Sequence, residues 1–305
     1  MNTRARARAG RLRPAVLSAC AALTLLGAVT AQAQAPAAGP SLASAGNKTK
    51  VRFGSPLRLS GKVAPGATVR IEFAPKGGSW RNIGETLSQS GSYSFRLRPA
   101  RSGAFRAVTD AGISSTRSVT VVARLARGRA SRHVRSGTPV RVRGKLQPGY
   151  AGRKVRLQLA TGHGWRTVDR TLTGRGGRYR AVWKASGSGR YRLRVKFAGD
   201  RSNSAVSRTL RGRVYVYRPS FASWYGPGLY GNPTACGGTL GVGTLGVAHK
   251  WLPCGTKVTL RYHGRSVTVP VIDRGPFVGG REWDLTGATK TKLGFGSTGT
   301  VWVAH

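Results

Sequence analysis

Three carboxylates fall within twelve consecutive positions near the C-terminus, Asp273, Glu282 and Asp284, and no other acid occurs from Phe221 onward. Two carboxyls in one groove titrate as a coupled pair, one of them staying protonated to a higher pH and so able to act as an acid. Such a proton can be given to a glycosidic oxygen, and ordinary glycoside hydrolysis uses two carboxyls for this chemistry. Asp273 stands in Val271-Ile272-Asp273-Arg274-Gly275-Pro276-Phe277, and Asp284 in Trp283-Asp284-Leu285-Thr286. Each has a plainer reading. Asp273 could bond the backbone amides of its Arg-Gly-Pro turn, and Asp284 could support a helix start or pair with an arginine. His249, in Val247-Ala248-His249-Lys250, could orient a substrate or a carboxyl, or be structural.

The elements needed to position these groups are short strands. Val258, Leu260 and Tyr262 alternate with Lys257, Thr259 and Arg261, His263-Gly264 makes a two-residue hairpin turn, and Val267, Val269 and Val271 alternate on the return. That hairpin delivers Asp273 to a strand end. Thr286 to Leu293 reads as one short helix with Thr286 as N-cap and Gly294 as its stop. Cys236 and Cys254 lack the CxxC spacing of a metal or redox pair and read as a disulfide in an exported protein. The segment offers no zinc spacing, nucleotide loop or Ser/His/Asp signature, so no metal and no cofactor is expected.

Taken in order, Ala222-Ser223-Trp224-Tyr225-Gly226, Thr234-Ala235-Cys236-Gly237, Val247-Ala248-His249-Lys250, Leu252-Pro253-Cys254-Gly255-Thr256, the Asp273 segment and the Asp284 segment closely resemble the rare lipoprotein A family. The resemblance covers residues 219–305 and implies a six-stranded double-psi β-barrel that acts on peptidoglycan as a lytic transglycosylase. It implies catalytic roles for Asp273, Asp284 and His249. Trp224, Tyr225, Arg274 and Trp283 are the candidates for holding the glycan, the two tryptophans because each adjoins a family motif. A lytic transglycosylase can use one carboxyl twice, first protonating the leaving oxygen and then taking the proton of the muramyl C6 hydroxyl to form a 1,6-anhydro ring. One departure bears on this: where the family commonly has a glutamate thought to be the acid, this chain has Gly238. The cysteine pair is also similar to that of expansin and barwin relatives, so a non-catalytic wall-loosening module and a protein inhibitor stay open as alternatives.

The remainder of the chain carries this domain. Arg4, Arg6, Arg8, Arg11 and Arg13 precede an apolar run from Ala15 to about Ala31, and Ala31-Gln32-Ala33 has the small-x-small pattern of a cleavage site, so residues 1–33 read as a signal peptide cut after Ala33. Leu17-Ser18-Ala19-Cys20 resembles a lipobox, but most of the hydrophobic run follows Cys20, which argues against lipid anchoring. Residues 34–47 read as a flexible linker.

Residues 48–123 and 130–217 read as a duplicated antiparallel β-sandwich of Ig-like architecture. Ser55-Pro56-Leu57-Arg58-Leu59 aligns with Thr138-Pro139-Val140-Arg141-Val142, Trp80 with Trp165, and Gly103-Ala104-Phe105-Arg106 with Gly189-Arg190-Tyr191-Arg192. Trp80 and Trp165, at equivalent positions, are expected in the two cores. With 52 Lys and Arg against 8 Asp and Glu, a formal charge of +44, the protein requires an anionic setting. For an exported, all-β chain with no transmembrane segment after cleavage, the expected partners are peptidoglycan glycan strands and anionic wall polymers at the cell envelope, with no specific nucleic acid.

Overall fold

The computed structural model describes residues 39–44, 50–126, 128, 130 and 132–305. The expected signal peptide, Cys20 and most of the 34–47 linker lie outside the described residues. At the end of that linker, Ala43–Ser44 pairs antiparallel with Leu57–Lys62, so this part is an edge strand rather than free chain.

Each repeat is a two-sheet sandwich. In the first, Leu57–Lys62 and Ser92–Leu97 face a sheet of Arg81–Leu87, Thr68–Pro75, Gly103–Thr109 and Arg117–Val122. Leu59, Ile71, Phe105 and Val121 meet between the sheets in one buried cluster. In the second, Pro139–Gln147 and Arg178–Lys184 face Gly164–Leu172, Lys154–Thr161, Leu193–Gly199 and Ser204–Thr209. Here the period of two is visible side chain by side chain. Val155, Leu157 and Leu159 are buried, while Arg156 between them is exposed, because successive residues of a strand leave on opposite faces.

The two tryptophans are not in these cores. Trp80 and Trp165 are part-exposed, each beneath a guanidinium at 4.3 Å, that of Arg106 and of Arg194 respectively. Strand alternation is the reason: Leu159 points into the core, so its neighbour Ala160, paired with Trp165, places the tryptophan on the outer sheet face. Arg106 also bonds Glu72, and Arg194 bonds Gln158, each opposite the other in the ladder. Arg106 therefore corresponds to Arg194, two residues beyond the partner that the sequence alignment assigns.

The C-terminal region is a closed six-stranded barrel: β1 (Val214–Tyr225), β2 (Val247–Ala248), β3 (Lys257–Tyr262), β4 (Arg265–Asp273), β5 (Trp283–Thr286) and β6 (Gly299–Ala304). Around the barrel the order is β1, β5, β2, β4, β3, β6 and back to β1, with β1–β5 and β2–β4 parallel and the rest antiparallel. Its interior is Val247, Val258, Leu260, Val269, Val271, Trp283, Leu285, Val301 and Val303. The hairpin turn is His263-Gly264 as expected, between Tyr262 and its partner Arg265. Helix α1 (Gly287–Leu293) starts at Thr286, whose side chain accepts from Thr289 N–H, and stops at left-handed Gly294. No linker separates barrel and repeat, because β1 pairs with His133–Arg135 in its first half and with barrel strands in its second.

Candidate functional site

The barrel's polar face is organised around Ala248. In the sheet, Ala248 pairs with Asp284 of β5 on one side and with Asp273 of β4 on the other. Two strand spacings put the carboxyl-bearing Cα atoms about 10 Å apart with only a methyl between them. The β2–β4 pairing shifts between Val247 and Ala248, so one residue, Ile272, is skipped. Strict alternation from buried Val271 would send Asp273 inward; the bulge turns it to the face that Asp284 occupies. Both aspartates are part-exposed.

Their neighbours differ. Asp273 Oδ1 accepts from the backbone N–H groups of Ala235 (2.9 Å) and Arg274 (2.8 Å), so the turn-bonding role weighed for it is present. The Ala235 contact clamps the Thr234–Gly238 turn, itself closed by Thr234 Oγ1 donating to the Gly237 carbonyl, against β4. Asp284 accepts a hydrogen bond from Ser223 Oγ, whose residue pairs with it across β1–β5. Burial pushes the Asp284 carboxyl above the usual range, against the opposing pull of Ser223 and Arg281. Tyr225, two residues after Ser223 on the same face, has a buried hydroxyl. It lies close enough to Asp273 and Asp284 for both carboxylates, after burial itself, to push the phenol up, yet no partner meets it at hydrogen-bonding geometry.

His249 is not brought to this face. It follows Ala248 directly, so its ring leaves on the other side of the sheet and lies 4.4 Å from the ring of Trp283. Its Nδ1 accepts from Trp251 N–H (3.1 Å) and Leu252 N–H (3.0 Å), which leaves the neutral ring's proton on Nε2, 3.6 Å from Glu282. Burial depresses its pKa despite Glu282. Glu282 itself is committed. Arg218 grips both of its oxygens, Ser220 donates to one, and the Arg218 bond foremost holds its pKa down to about 2.

Among the expected sugar-holding residues, Trp283 has 0% exposure and sits in the barrel core, so no ligand can stack on it. It adjoins a motif but also occupies an inward strand position, and burial of its large ring decided the outcome. Trp224 packs on the core under Lys290, whose Nζ is 4.0 Å from the ring. Arg274 is bound to the carbonyls of Leu252 (3.0 Å) and His249 (3.3 Å) and to Cys254 Sγ, tying two loops together. Tyr225 alone of the four faces the aspartates. The aromatic rings that do stand free are Trp251, 84% exposed, and Phe277, 81% exposed, on the loops that leave Ala248 and Asp273. The sequence flags both as aromatic but offers no sign of their exposure.

Cys236 and Cys254 are disulfide-bonded. Gly238 ends the clamped turn at φ +83°, with nothing within 4 Å of where a Cβ would stand. Among the described residues, no group of three or more His, Cys, Asp or Glu is placed to hold a metal ion.

Residues 220–305 match the family described as lytic transglycolase. Over 80 residues the chain is 48% identical to the probable endolytic peptidoglycan transglycosylase RlpA of Synechocystis, covering 26% of this chain and 25% of that protein. The Campylobacter jejuni endolytic peptidoglycan transglycosylase RlpA is 46% identical over 81 residues, 26% of this chain and 30% of the relative. The probable RlpA of Aquifex aeolicus is 40% identical over 87 residues, 28% and 38% of the two chains. The chain thus spans well under half the length of these curated relatives, and the match is confined to the barrel. Residues 220–305 form a double-psi β-barrel domain of the lytic transglycolase family, homologous to RlpA.

Proposed function

We propose that this is an exported, peptidoglycan-directed protein whose barrel binds glycan strands across the face shared by Asp273 and Asp284 and cleaves them as a lytic transglycosylase. The observation that carries the reading is Asp284 itself: a part-buried carboxyl pushed toward its protonated form, opposite a second carboxylate, with a gap the width of an alanine between them.

In that geometry Asp284 gives its proton to the glycosidic oxygen as the bond from C1 breaks. The same carboxylate then takes the proton of the muramyl C6 hydroxyl as that oxygen closes on C1, and the acid is regenerated. Asp273, fixed by two backbone N–H groups, supplies negative charge opposite the developing positive sugar ring. Exposed Trp251 and Phe277 offer apolar faces to neighbouring sugars. His249 acts as a positioning residue, holding the 249–252 turn through its Nδ1. Cutting after Ala33 removes five arginines from the +44 of the whole chain, and the +39 that is left keeps the mature protein on anionic wall polymers.

Gly238 favours a second reading, a binder of expansin type that loosens glycan without cutting it, because the family's acid position carries no side chain. Incubating the full mature chain with purified sacculi and analysing the soluble products by mass spectrometry separates the two. Anhydro-muropeptides are the expected result. Pelleting on sacculi with no anhydro product would establish the binder.

A further inference from the structure

A second cleft lies where the second sandwich meets the barrel, away from the aspartate face. It encloses about 450 Å³ and is lined by His133, Arg135, Tyr217, Arg261, Tyr262, His263 and Trp302 among others, none of them acidic. Strand His133–Arg135, riding on β1, forms one wall, and the β3–β4 hairpin with β6 forms the other.

The groups in it are arranged. Arg135 sits with its guanidinium 4.3 Å from the Trp302 ring, and no carboxylate pairs with it or with Arg261 among the described residues. A guanidinium resting on a ring keeps the donors of its edge available for a planar oxyanion. The rings of His133, Tyr215 and Tyr217 lie near-parallel at 5.2 to 6.4 Å, and His133 Nδ1 is 2.8 Å from the Tyr217 hydroxyl. Burial, with Arg261 and Arg132 nearby, depresses the His133 pKa, so the ring is neutral at pH 7 and can bond an uncharged hydroxyl.

We infer that this cleft is a binding site for an anionic glycan, a sugar or polyol chain bearing phosphate or carboxylate, with Arg135 and Arg261 on the oxyanion and His133 and the tyrosine hydroxyls on neighbouring hydroxyls. A pocket of this size holds a unit or two of such a polymer, which suits a short repeat more than a base-stacked strand. The site is separate from the one under Proposed function, and its occupancy requires no cleavage.

The test titrates the full mature chain, following Trp fluorescence, with polyglycerol phosphate, polyglucuronate, neutral chitin oligosaccharide and single-stranded DNA of matched charge. Binding of polyglycerol phosphate identifies phosphate as the recognised group, and binding of polyglucuronate alone identifies carboxylate. Arg135→Gln with Arg261→Gln should weaken that binding by about tenfold or more, since each guanidinium contributes a charge-assisted bond. The control pair Arg156→Gln with Arg178→Gln, both exposed and remote, should change it less than about twofold, as expected for screened surface charge. Should the Gln pair fail to fold, exposed Arg135→Glu alone should abolish the same binding. Equal loss in the control pair, no binding of either anionic glycan, or tighter cleft-dependent binding of DNA would each overturn the inference. Anhydro-muropeptide formation is unaffected by the Gln pair in either case, so this test and that of the barrel face fail independently.

Discussion

Asp273 and Asp284 reach one face of the barrel from strands that never pair with each other, each lying opposite Ala248 of the strand between them. The bulge beside Val247 and the hydroxyl of Ser223 fix the two carboxyls in unequal surroundings, and inequality is what separates an acid from a base.

Asp284→Asn should lower anhydro-muropeptide release by about 100-fold or more, the usual weight of a general acid, while pelleting on sacculi persists. The variant should be no less stable than wild type at neutral pH. A carboxyl with a raised folded pKa contributes stability below its unfolded pKa and loses it as pH rises through the folded value. Thermal unfolding at pH 7 and at pH 4 checks the sign: Asn gains on wild type at the higher pH.

Acid should unfold the barrel in two stages. His249 and His305 have depressed pKa values, chiefly from burial, so their contribution is present above about pH 6.5 and is lost as pH falls through their folded values. Glu282, held down to about 2 by Arg218, contributes above its ordinary 4.5 and loses that contribution between there and 2. Glu282→Gln should flatten the lower stage of the acid limb in a denaturant series and move the upper stage to lower pH, because Glu282 favours the charged form of both histidines.

Much of this was legible beforehand. The order of short motifs is specific to the barrel family, the His263-Gly264 hairpin and the Thr286 cap have local chemical signatures, and two cysteines in a domain leave one pairing. What local reasoning missed depends on side-chain direction. A strand two residues long, Val247–Ala248, shows no alternation from which to learn that His249 turns away from Asp273. The bulge at Ile272 has no sequence mark. Trp283, Trp224, Trp251 and Phe277 are alike as aromatic residues beside motifs, and only their strand and loop positions decide which are buried. The same holds for Trp80 and Trp165, whose equivalence suggested cores and whose register put them outside.

Replacing Cys236 and Cys254 with serine should destabilise the barrel by about 3 kcal/mol, the chain-entropy value for a loop of this size. The disulfide closes residues 236–254, which include Ala248 and the 249–252 turn. Binding to sacculi should therefore weaken at temperatures where the fold itself survives, measured as pelleting against circular dichroism.

Gly238→Glu restores a carboxyl at the family position, into open space, on the turn whose Ala235 N–H holds Asp273. The left-handed backbone there should destabilise the variant by about 1–2 kcal/mol. Anhydro-muropeptide release should nonetheless rise above wild type, and an unchanged or lower yield would show that the turn does not present position 238 to the glycan.

The most direct measurement is amide chemical-shift mapping of the isotope-labelled mature chain titrated with glycan strands stripped of stem peptides. The account predicts that the largest shifts gather on Ser223, Tyr225, Ala235, Ala248, Arg274 and Asp284, and that they vanish in Asp273→Asn with Asp284→Asn. Shifts confined to other surfaces, with those six residues unmoved, would contradict it.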